Sequence, residues 1–535
     1  MKKILFILFV LIAAFACSPA EIRQAKVLTP SEIAEHNKNY PNPEDPNNPD
    51  NPDNPDNPDN PDNPDNPDNP DNPNPPVVIT KYYVSVSGSG SKTGEDASNA
   101  LDFDGFKTFV VTAAAAGKTF SFADGTYVFA THLSLGNAVS LTFEGGEGAV
   151  LSGDGKTRIL NLGGGVNLAI KGMTLSGGYC TAHGAAIYAD NCTLTADGTA
   201  FKNNKTNGGS AKNDNNGGAI YLGSNMQSAV FKNCLFSGNR IETTSTDQYG
   251  ASVRIESASS PYEVLFDNCT FKQNYAKQAP GISVNAKVVL KVNNCLFEDN
   301  SANSRGMIQG NGGVVFINGS TFHDNHTTDN NGWGVDIHGK VYLCIHNSTI
   351  YGNTNASTTA GNNNAAINGY HSMLMTNCTV IESCQLGLLR IDDNAGKQVL
   401  CNNILVNTSG KTVLIGNTTA VFLSRGHNAM STVSGFDSFS ADATDLTSCT
   451  ESSFGGHSYS NGVYTWNGTL AGFTAAGKSD VEAAMEEFNV DVSGLMQNIG
   501  GAFMDWLASL TPNALNVDGR GTARSASWWP GAYQN

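Results

Sequence analysis

The chain has 535 residues, a formal net charge of −17 and 57 glycines. It shows no basic patch or arginine cluster, which argues against nucleic acid as a partner. The part that follows the N-terminal segments is long for one ordinary globular domain. Its low charge and its high content of Gly, Asn, Ser and Thr favour an exported all-β repeat protein.

The N-terminus has the features of an export signal. Two lysines precede an apolar run, residues 4–16, which is short for a membrane span and ends in small residues. Cys17 follows directly, and this context resembles the lipoprotein box of bacteria, in which the cysteine is acylated. The resemblance implies a signal peptide over residues 1–16, a lipidated tether over residues 17–40 and an outer-membrane anchor. Ordinary cleavage without lipidation is the alternative.

Residues 41–76, in which Asn, Pro and Asp repeat, are predicted to form a disordered linker. Proline at every third position favours extended polyproline II, at about 3.1 Å per residue, and the segment has no hydrophobic residue with which to build a core. It carries ten acidic residues and no basic one, so the rest of the chain has a formal charge of only −7. The acidity of the protein therefore says little about its ligand.

A repeated motif of the form Asn-Cys-x-Phe predicts the fold. Its copies recur at intervals of about 25–35 residues, with short Val- and Ile-rich runs that alternate with period two. One coil per repeat predicts a right-handed single-stranded parallel β-helix over residues 77–430. Residues 431–535 are predicted to supply further coils, capping helices and a tail. The clearest copies are FKNCLFSGN (231–239), FDNCTFKQN (266–274), VNNCLFEDN (292–300), INGSTFHDN (317–325) and IHNSTIYGN (345–353).

The motif itself is interpreted as structural. Its Cys and Phe lie two positions apart and share the inner face of the coil, while the leading Asn adopts the left-handed bend between strands. The cysteines are interpreted as a reduced core column, with disulfides or a metal site as alternatives. The predicted columns are Phe236, Phe271, Phe297, Phe322, Ile350 and Val380 on one side and Cys234, Cys269 and Cys295 on the other.

Helices are predicted near both ends of the solenoid. SDVEAAMEEFNV (479–490) and MQNIGGAFMDWLASL (496–510) have apolar residues at helical spacing. Because an uncapped coil edge promotes aggregation, we expect these helices to cover the open end. A second cap is expected near residues 106–116.

Several segments resemble known families. GGAIYLGS (217–224) followed by FKNCLFSGN resembles the repeat of polymorphic outer membrane proteins. FADGTYVF (122–129) and LSGDGKTRILNL (151–162) resemble the opening of pectate-lyase-like β-helix proteins. The last 20 residues, 516–535, resemble the C-terminal tail of bacterial surface β-helix proteins of the choice-of-anchor type. The resemblance implies the fold rather than the function, because the superfamily includes polysaccharide lyases, glycoside hydrolases and adhesins alike.

The candidate site is a row of polar residues on the strand that precedes each motif. Alternation predicts that these residues point outward and lie within about 10 Å of their neighbours in successive coils. Asp336, His338, Arg390 and Asp392 are the candidate catalytic residues, with His338 or Arg390 as a lyase base and Asp336 with Asp392 as a hydrolase pair. The candidate ligand-binding residues are Tyr221, Arg254, Glu256, Asn285, Asn368 and Tyr370.

Two functions follow from this row. We expect a monomeric surface lipoprotein that binds polysaccharide or host glycan, and the alternative is a lyase or hydrolase of uronate-containing polysaccharide. A solvated strand face without function is the third interpretation. No metal site is predicted in the motif, although three Asn-rich insertions have Ca²⁺-like spacing. No cofactor is expected otherwise.

Overall fold

The computed structural model describes twelve segments of the chain and one isolated residue. They are residues 79–208, 216–242, 248–328, 335–355, 364–369, 371–391, 396–416, 421–434, 439–454, 457–460, 463–466, 470–524 and 531. The export signal, the tether with Cys17 and the linker lie outside them, as do Tyr370 and Asp392. Residues 79–535 form one compact unit.

This unit is a parallel β-solenoid of about 11 turns with few helices, which make up 10% of the structure. The predicted parallel β-helix is therefore confirmed. Two long faces of the coils are here called sheet 1 and sheet 2. They are joined by the long strands Ile308–Asn318 and Ile337–His346, each of which runs through both sheets. The other strands of sheet 1 are Leu133–Leu135, Leu160–Leu162, Ile187–Ala189, Ile220–Leu222, Val253–Ile255, Ile282–Asn285, Ile367–Gly369, Leu389–Ile391 and Leu414–Gly416. The others of sheet 2 are Lys81–Val84, Lys118–Phe122, Ser140–Gly145, Asn167–Lys171, Thr193–Asp197, Ser228–Lys232, Tyr262–Asp267, Val288–Asn293, Met373–Thr376, Lys397–Cys401, Val421–Ser424 and Phe439–Ser440.

Two further sheets complete the coils. Sheet 3 contains Gly125–Val128, Ala149–Ser152, Thr174–Ser176, Ala200–Lys202, Leu235–Ser237, Thr270–Lys272, Leu296–Glu298, Thr321–His323, Thr349–Tyr351, Thr379–Glu382, Ile404–Asn407 and Ala429–Met430. Sheet 4 contains Tyr179–Cys180, Lys205–Thr206, Arg240–Ile241, Tyr275–Gln278, Ser301–Arg305, His326–Thr327 and Thr354–Asn355. An antiparallel hairpin, His457–Ser460 with Val463–Trp466, forms a separate two-stranded sheet.

The interior follows the motif as predicted. Four successive ring pairs of sheet 3 stack with centroids 4.5–4.9 Å apart, because parallel register places identical residues one above the other. Ile350 and Val380 continue this column at the same register. The neighbouring cysteines are buried free thiols, and burial raises the pKa of Cys295 well above its usual value. The column is therefore a buried part of the core in which the described cysteines form no disulfide.

The bends between sheets 2 and 3 also match the prediction. All nine leading residues of the motif have positive φ, between 49° and 70°. Asn and Gly adopt this conformation at little cost, whereas a β-branched residue would be strained. The nine residues are Gly172, Gly198, Asn233, Asn268, Asn294, Gly319, Asn347, Asn377 and Asn402.

The trailing Asn of each motif lies in the interior and does not form a bend. At VNNCLFEDN the positive φ belongs to Asp299, and Asn300 is fully buried. Its Nδ2 donates to Asn325 Oδ1 at 2.9 Å and to the carbonyl oxygen of Phe271 at 2.8 Å. The same bonds join Asn204, Asn239, Asn274, Asn300, Asn325 and Asn353 into one internal ladder, which ends on Glu382.

We expect Asn300→Ala to lower the free energy of unfolding by about 3 kcal/mol, because it leaves several buried donors and acceptors unpaired at about 1–3 kcal/mol each. Chemical denaturation measures the loss. Asn294→Gly is the matched control, since Asn294 is an exposed bend residue whose conformation Gly adopts freely. Equal stability of the two variants would contradict a stabilising ladder.

Three α-helices accompany the coils in the described segments: α1 (Phe103–Val110), α2 (Lys478–Glu487) and α3 (Ile499–Ser509). Short 3₁₀ turns occur at Ala97–Asn99, Ala113–Ala115 and Glu451–Phe454. Helix α1 buries Phe106 against the rings of the first coils, so the N-terminal cap is confirmed. Over the part of the chain that the structure describes, no helix is both long and apolar enough to cross a membrane.

The sequence predicts that helices α2 and α3 cover the open end of the solenoid. Instead, they pack on the outer face of sheet 2. Phe316 points outward there and contacts Phe503 of α3 at 5.0 Å between centroids. The cause is an outer face that is apolar in the coils from Val289 to Cys401 and would otherwise be exposed to water.

Candidate functional site

The outer face of sheet 1 carries the predicted row of polar residues. One residue per coil occupies the same position in register, in the order Tyr221, Arg254, Ser283, Gln309, His338, Asn368 and Arg390. A second row runs beside it, through Asn285, Asn311 and Lys340, and Glu256 joins it by a hydrogen bond to Asn285. Strand alternation thus predicts most of the outer face correctly.

Asp336 is the exception, because its side chain is fully buried rather than outward. It precedes the strand and occupies the corner position that Met307 has in the neighbouring coil, where the side chain faces the interior. Neither carboxyl oxygen has a hydrogen-bond partner among the described residues, and burial, together with Glu382, raises its pKa well above the usual range. The predicted outward orientation of Asp336 is therefore wrong, and its pairing with Asp392 as hydrolase carboxylates stays a prediction because Asp392 lies outside the described residues.

The two rows form the base and one side of a groove with a volume of about 520 Å³, within the size range of ligand sites. Tyr249 and Arg305 form the other side, since both pair in register with Gln278 of the intervening coil. Four of the predicted residues meet in this groove: Arg254, Glu256, Asn285 and His338.

Glu256 is held in place by its neighbours. Asn285 Nδ2 donates to it at 2.7 Å and Arg254 Nη2 lies 3.4 Å from it. Burial alone would raise its pKa, but Arg254, the Ser257 N–H and Asn285 outweigh burial and hold the pKa below its usual value. This carboxylate of the groove lining is therefore ionised and already neutralised by Arg254.

Tyr221 supports this arrangement and does not offer a flat face to a sugar. Its ring stacks on His183 at 4.5 Å and on Tyr188 at 5.3 Å, and its hydroxyl donates to Glu256 at 3.3 Å. Only 9% of the residue is exposed. The predicted ligand residue thus acts by positioning Glu256.

His338 lies at the base of the groove and is almost fully buried. Burial, and then the positive charges of Arg305 and Arg390, lower its pKa to about 3. The imidazole is consequently neutral over the physiological pH range, and it keeps a nitrogen lone pair next to two guanidinium groups.

Among the described lining residues of the groove, cations outnumber carboxylates, with Arg254, Arg305 and Lys340 against Glu256. Lys340 is exposed and Arg305 is half-exposed, while the only carboxylate among the described lining residues is paired with Arg254. Oriented cations of this kind recognise carboxylate or sulfate groups, and guanidinium does so with two parallel hydrogen bonds. The geometry suits an acidic ligand.

The sequence analysis does not predict several polar residues of the lining, among them Tyr249, Arg305, Gln309, Asn311 and Lys340. Arg305 and Tyr249 come from the end of sheet 4 and the turn into sheet 1, where alternation does not apply. The segment Ile308–Asn311 is harder to recognise in the sequence, although its spacing matches Ile282–Asn285. This match in spacing is the feature of the sequence from which Gln309 and Asn311 could have been predicted.

Metal binding finds no support in the groove. Within the described segments no group of three or more His, Cys, Asp and Glu side chains is placed to hold a metal ion. The Asn-rich insertions with Ca²⁺-like spacing fall largely outside those segments, so Ca²⁺ binding there stays a prediction.

Comparison with known proteins gives structural neighbours at low identity. A mannuronic-acid-specific family 6 polysaccharide lyase from the human gut microbiota matches with a TM-score of 0.41 and 13% identity, over 71% of this chain and 88% of its own. The family 6 alginate lyase AlyGC matches with 0.35 and 12%, over 73% and 55%. Pectate lyase Pel9A matches with 0.28 and 14%, over 85% and 90%. No family model matches the chain, and no curated protein does.

Proposed function

We propose that this protein binds an acidic polysaccharide in the groove on sheet 1. The observation that carries the proposal is the lining of the groove, in which Arg254, Arg305 and Lys340 stand against the single described carboxylate of Glu256. Arg305 and Lys340 would engage the carboxylates of uronate residues, and Asn285 and Asn311 would bind ring hydroxyls. Adhesion to, or capture of, such polymers is the activity that this arrangement supports best.

Uronate lyase activity is the second candidate, because the imidazole of His338 lies at the base of the groove beside the proposed uronate-binding cations. Nitrogen of the imidazole would accept the proton at C5, next to the carboxylate, while Arg305 and Lys340 stabilise the negative charge that develops there. The C4–O bond then breaks, a C4–C5 double bond forms and the leaving oxygen takes up a proton. Hydrolysis is less well supported, because Glu256 is the single carboxylate in the described lining.

Display at the cell surface is proposed together with this function. Cys17 would carry the lipid, and the extended linker of residues 41–76 would hold the solenoid away from the outer membrane. Cys17→Ala should release the protein from the membrane fraction of the producing cells. Retention of that variant in the membrane would contradict the lipid anchor.

The expected result for the groove is selective binding of polyuronates. Calorimetry with alginate, polygalacturonate and neutral glucan oligosaccharides should show affinity for at least one acidic oligosaccharide, and this affinity should fall as salt rises because exposed charges are screened. Unsaturated product that absorbs in the ultraviolet, lost in His338→Ala, would establish the lyase. Binding of neutral oligosaccharides alone, without salt dependence, would contradict the proposed function.

A further inference from the structure

A second cleft lies at the corner between sheets 2 and 3, away from the groove on sheet 1. Its volume is about 460 Å³. One wall is made by the bends of three successive coils, at Asn268, Asn294 and Gly319, and the other by the C-terminal segment 510–521. The function proposed for the groove does not use this cleft.

The bend wall presents side-chain amides to solvent. Asn268 and Asn294 are exposed and stand one above the other, about 4.8 Å apart by the spacing of the strands. Asn318, which also lines the cleft, has a buried Oδ1 without a hydrogen-bond partner among the described residues. Asn268 Nδ2 donates to Asn233 Oδ1 at 2.7 Å, so the Oδ1 of Asn268 and the amide of Asn294 are the groups that this wall offers to a ligand.

Asn347, a later member of the same bend column, shows what these amides can bind. Its Nδ2 donates to the carbonyl oxygens of Val517 at 2.9 Å and Ala514 at 3.3 Å. Its Oδ1 accepts from Arg524 Nη2 at 2.6 Å. The C-terminal segment therefore covers the amide of Asn347, whereas those of Asn268 and Asn294 are exposed.

The opposite wall is apolar and carries no net charge. Leu510, Pro512 and Val517 supply its apolar surface. The carboxylate of Asp518 pairs with the guanidinium of Arg520 at 2.7 Å, which neutralises both. One polar wall faces one apolar wall, and neither attracts an ion.

We infer that this cleft binds a neutral carbohydrate chain. A pyranose has hydroxyl groups at its edge, which the amides can bind, and C–H faces that can pack on Pro512 and Leu510. An extended peptide that added to this wall as a strand would need N–H donors for its carbonyl groups, and Pro512 has no N–H to donate. The neutral walls also distinguish the ligand from the acidic polymer of the groove.

Calorimetry with cellohexaose, laminarihexaose and mannohexaose tests this site. At least one hexasaccharide should bind the full chain, and Asn294→Gly should weaken that affinity at least fivefold. Gly preserves the bend because it already occupies the equivalent position at residues 172, 198 and 319. Asn191→Gly is the matched control, since Asn191 is an exposed residue with positive φ outside the cleft lining, and it should change affinity less than twofold.

Absence of binding by all three hexasaccharides would overturn the inference, as would equal losses in the two Gly variants. A synthetic peptide of residues 510–524 is the competing probe. Binding of that peptide alone, weakened by Asn294→Gly, would overturn the carbohydrate assignment in favour of a polypeptide partner. Lys340→Ala, in the groove, should leave hexasaccharide binding unchanged, so the two sites fail or succeed separately.

Discussion

Removal of Arg305 and Lys340 together is expected to reduce the affinity for acidic oligosaccharides by about a hundredfold. Hydrogen bonds to charged groups contribute about 1.5–3 kcal/mol each, and tenfold in affinity corresponds to about 1.4 kcal/mol. Two such contacts therefore account for at least two orders of magnitude. Calorimetry with the double Ala variant measures the loss, and the remaining binding should depend less on salt than that of the native chain.

Lys156→Ala is the control for this variant, because Lys156 is a 78% exposed lysine on a coil far from the groove lining. It should change neither affinity nor salt dependence, and both variants should unfold at the temperature of the native protein. A double variant that keeps its affinity within threefold would show that the cations of the groove do not bind the ligand.

The fold is predictable from the sequence because the solenoid repeats one local pattern. Phe271 and Phe297 lie in the same place in successive coils, so their spacing along the chain is enough to indicate that they stack. The bend at Asn294 follows from the same alignment. The ladder of Asn300 is less visible, since Asn and Asp stand side by side at the end of each motif and only their backbone conformations separate them.

The site is predictable only where strand alternation holds. Arg254 and His338 lie within strands and point outward as predicted, whereas Asp336 stands at a corner and turns inward. Arg305 reaches the groove from a different sheet, a contact that depends on the course of the turn rather than on periodicity. Contacts between side chains, such as the hydrogen bond from Tyr221 to Glu256, depend on three-dimensional packing and cannot be predicted from periodicity.

The burial of two acids, Glu382 at the end of the Asn ladder and Asp336 at the corner, has a consequence for stability. Glu382 ends the Asn ladder by accepting from the backbone N–H and Nδ2 of Asn353, at 3.1 Å and 2.9 Å. Burial raises its pKa to about 8 against the opposing effect of these two bonds. The pKa of Asp336 is also raised, first by burial and then by the nearby charge of Glu382. Two acids are thus enclosed in a core that favours their neutral forms.

Glu382→Gln is expected to stabilise the protein by several kcal/mol at pH 8 and to have little effect at pH 4. An acid whose pKa is raised by folding binds its proton more tightly in the folded state, so native stability is greatest below the unfolded pKa and falls as pH rises towards about 8. Each unit of pKa difference corresponds to roughly 1.4 kcal/mol. Gln keeps the acceptor for Asn353 and removes the ionisation. Denaturation series at pH 4 to 9 measure the difference.

Asp336→Ala should act in the same direction, because it removes a buried carboxyl without hydrogen-bond partners among the described residues, at a position where the next coil has Ala366. Its gain should also appear only as pH rises above the ordinary range of a carboxyl group. Glu263→Gln serves as the control, since Glu263 is a 59% exposed surface carboxylate paired with Lys291, and its effect should stay within about 1 kcal/mol at every pH. Native stability that is flat between pH 5 and 8, with no gain in either core variant, would contradict the enclosure of two acids in the core.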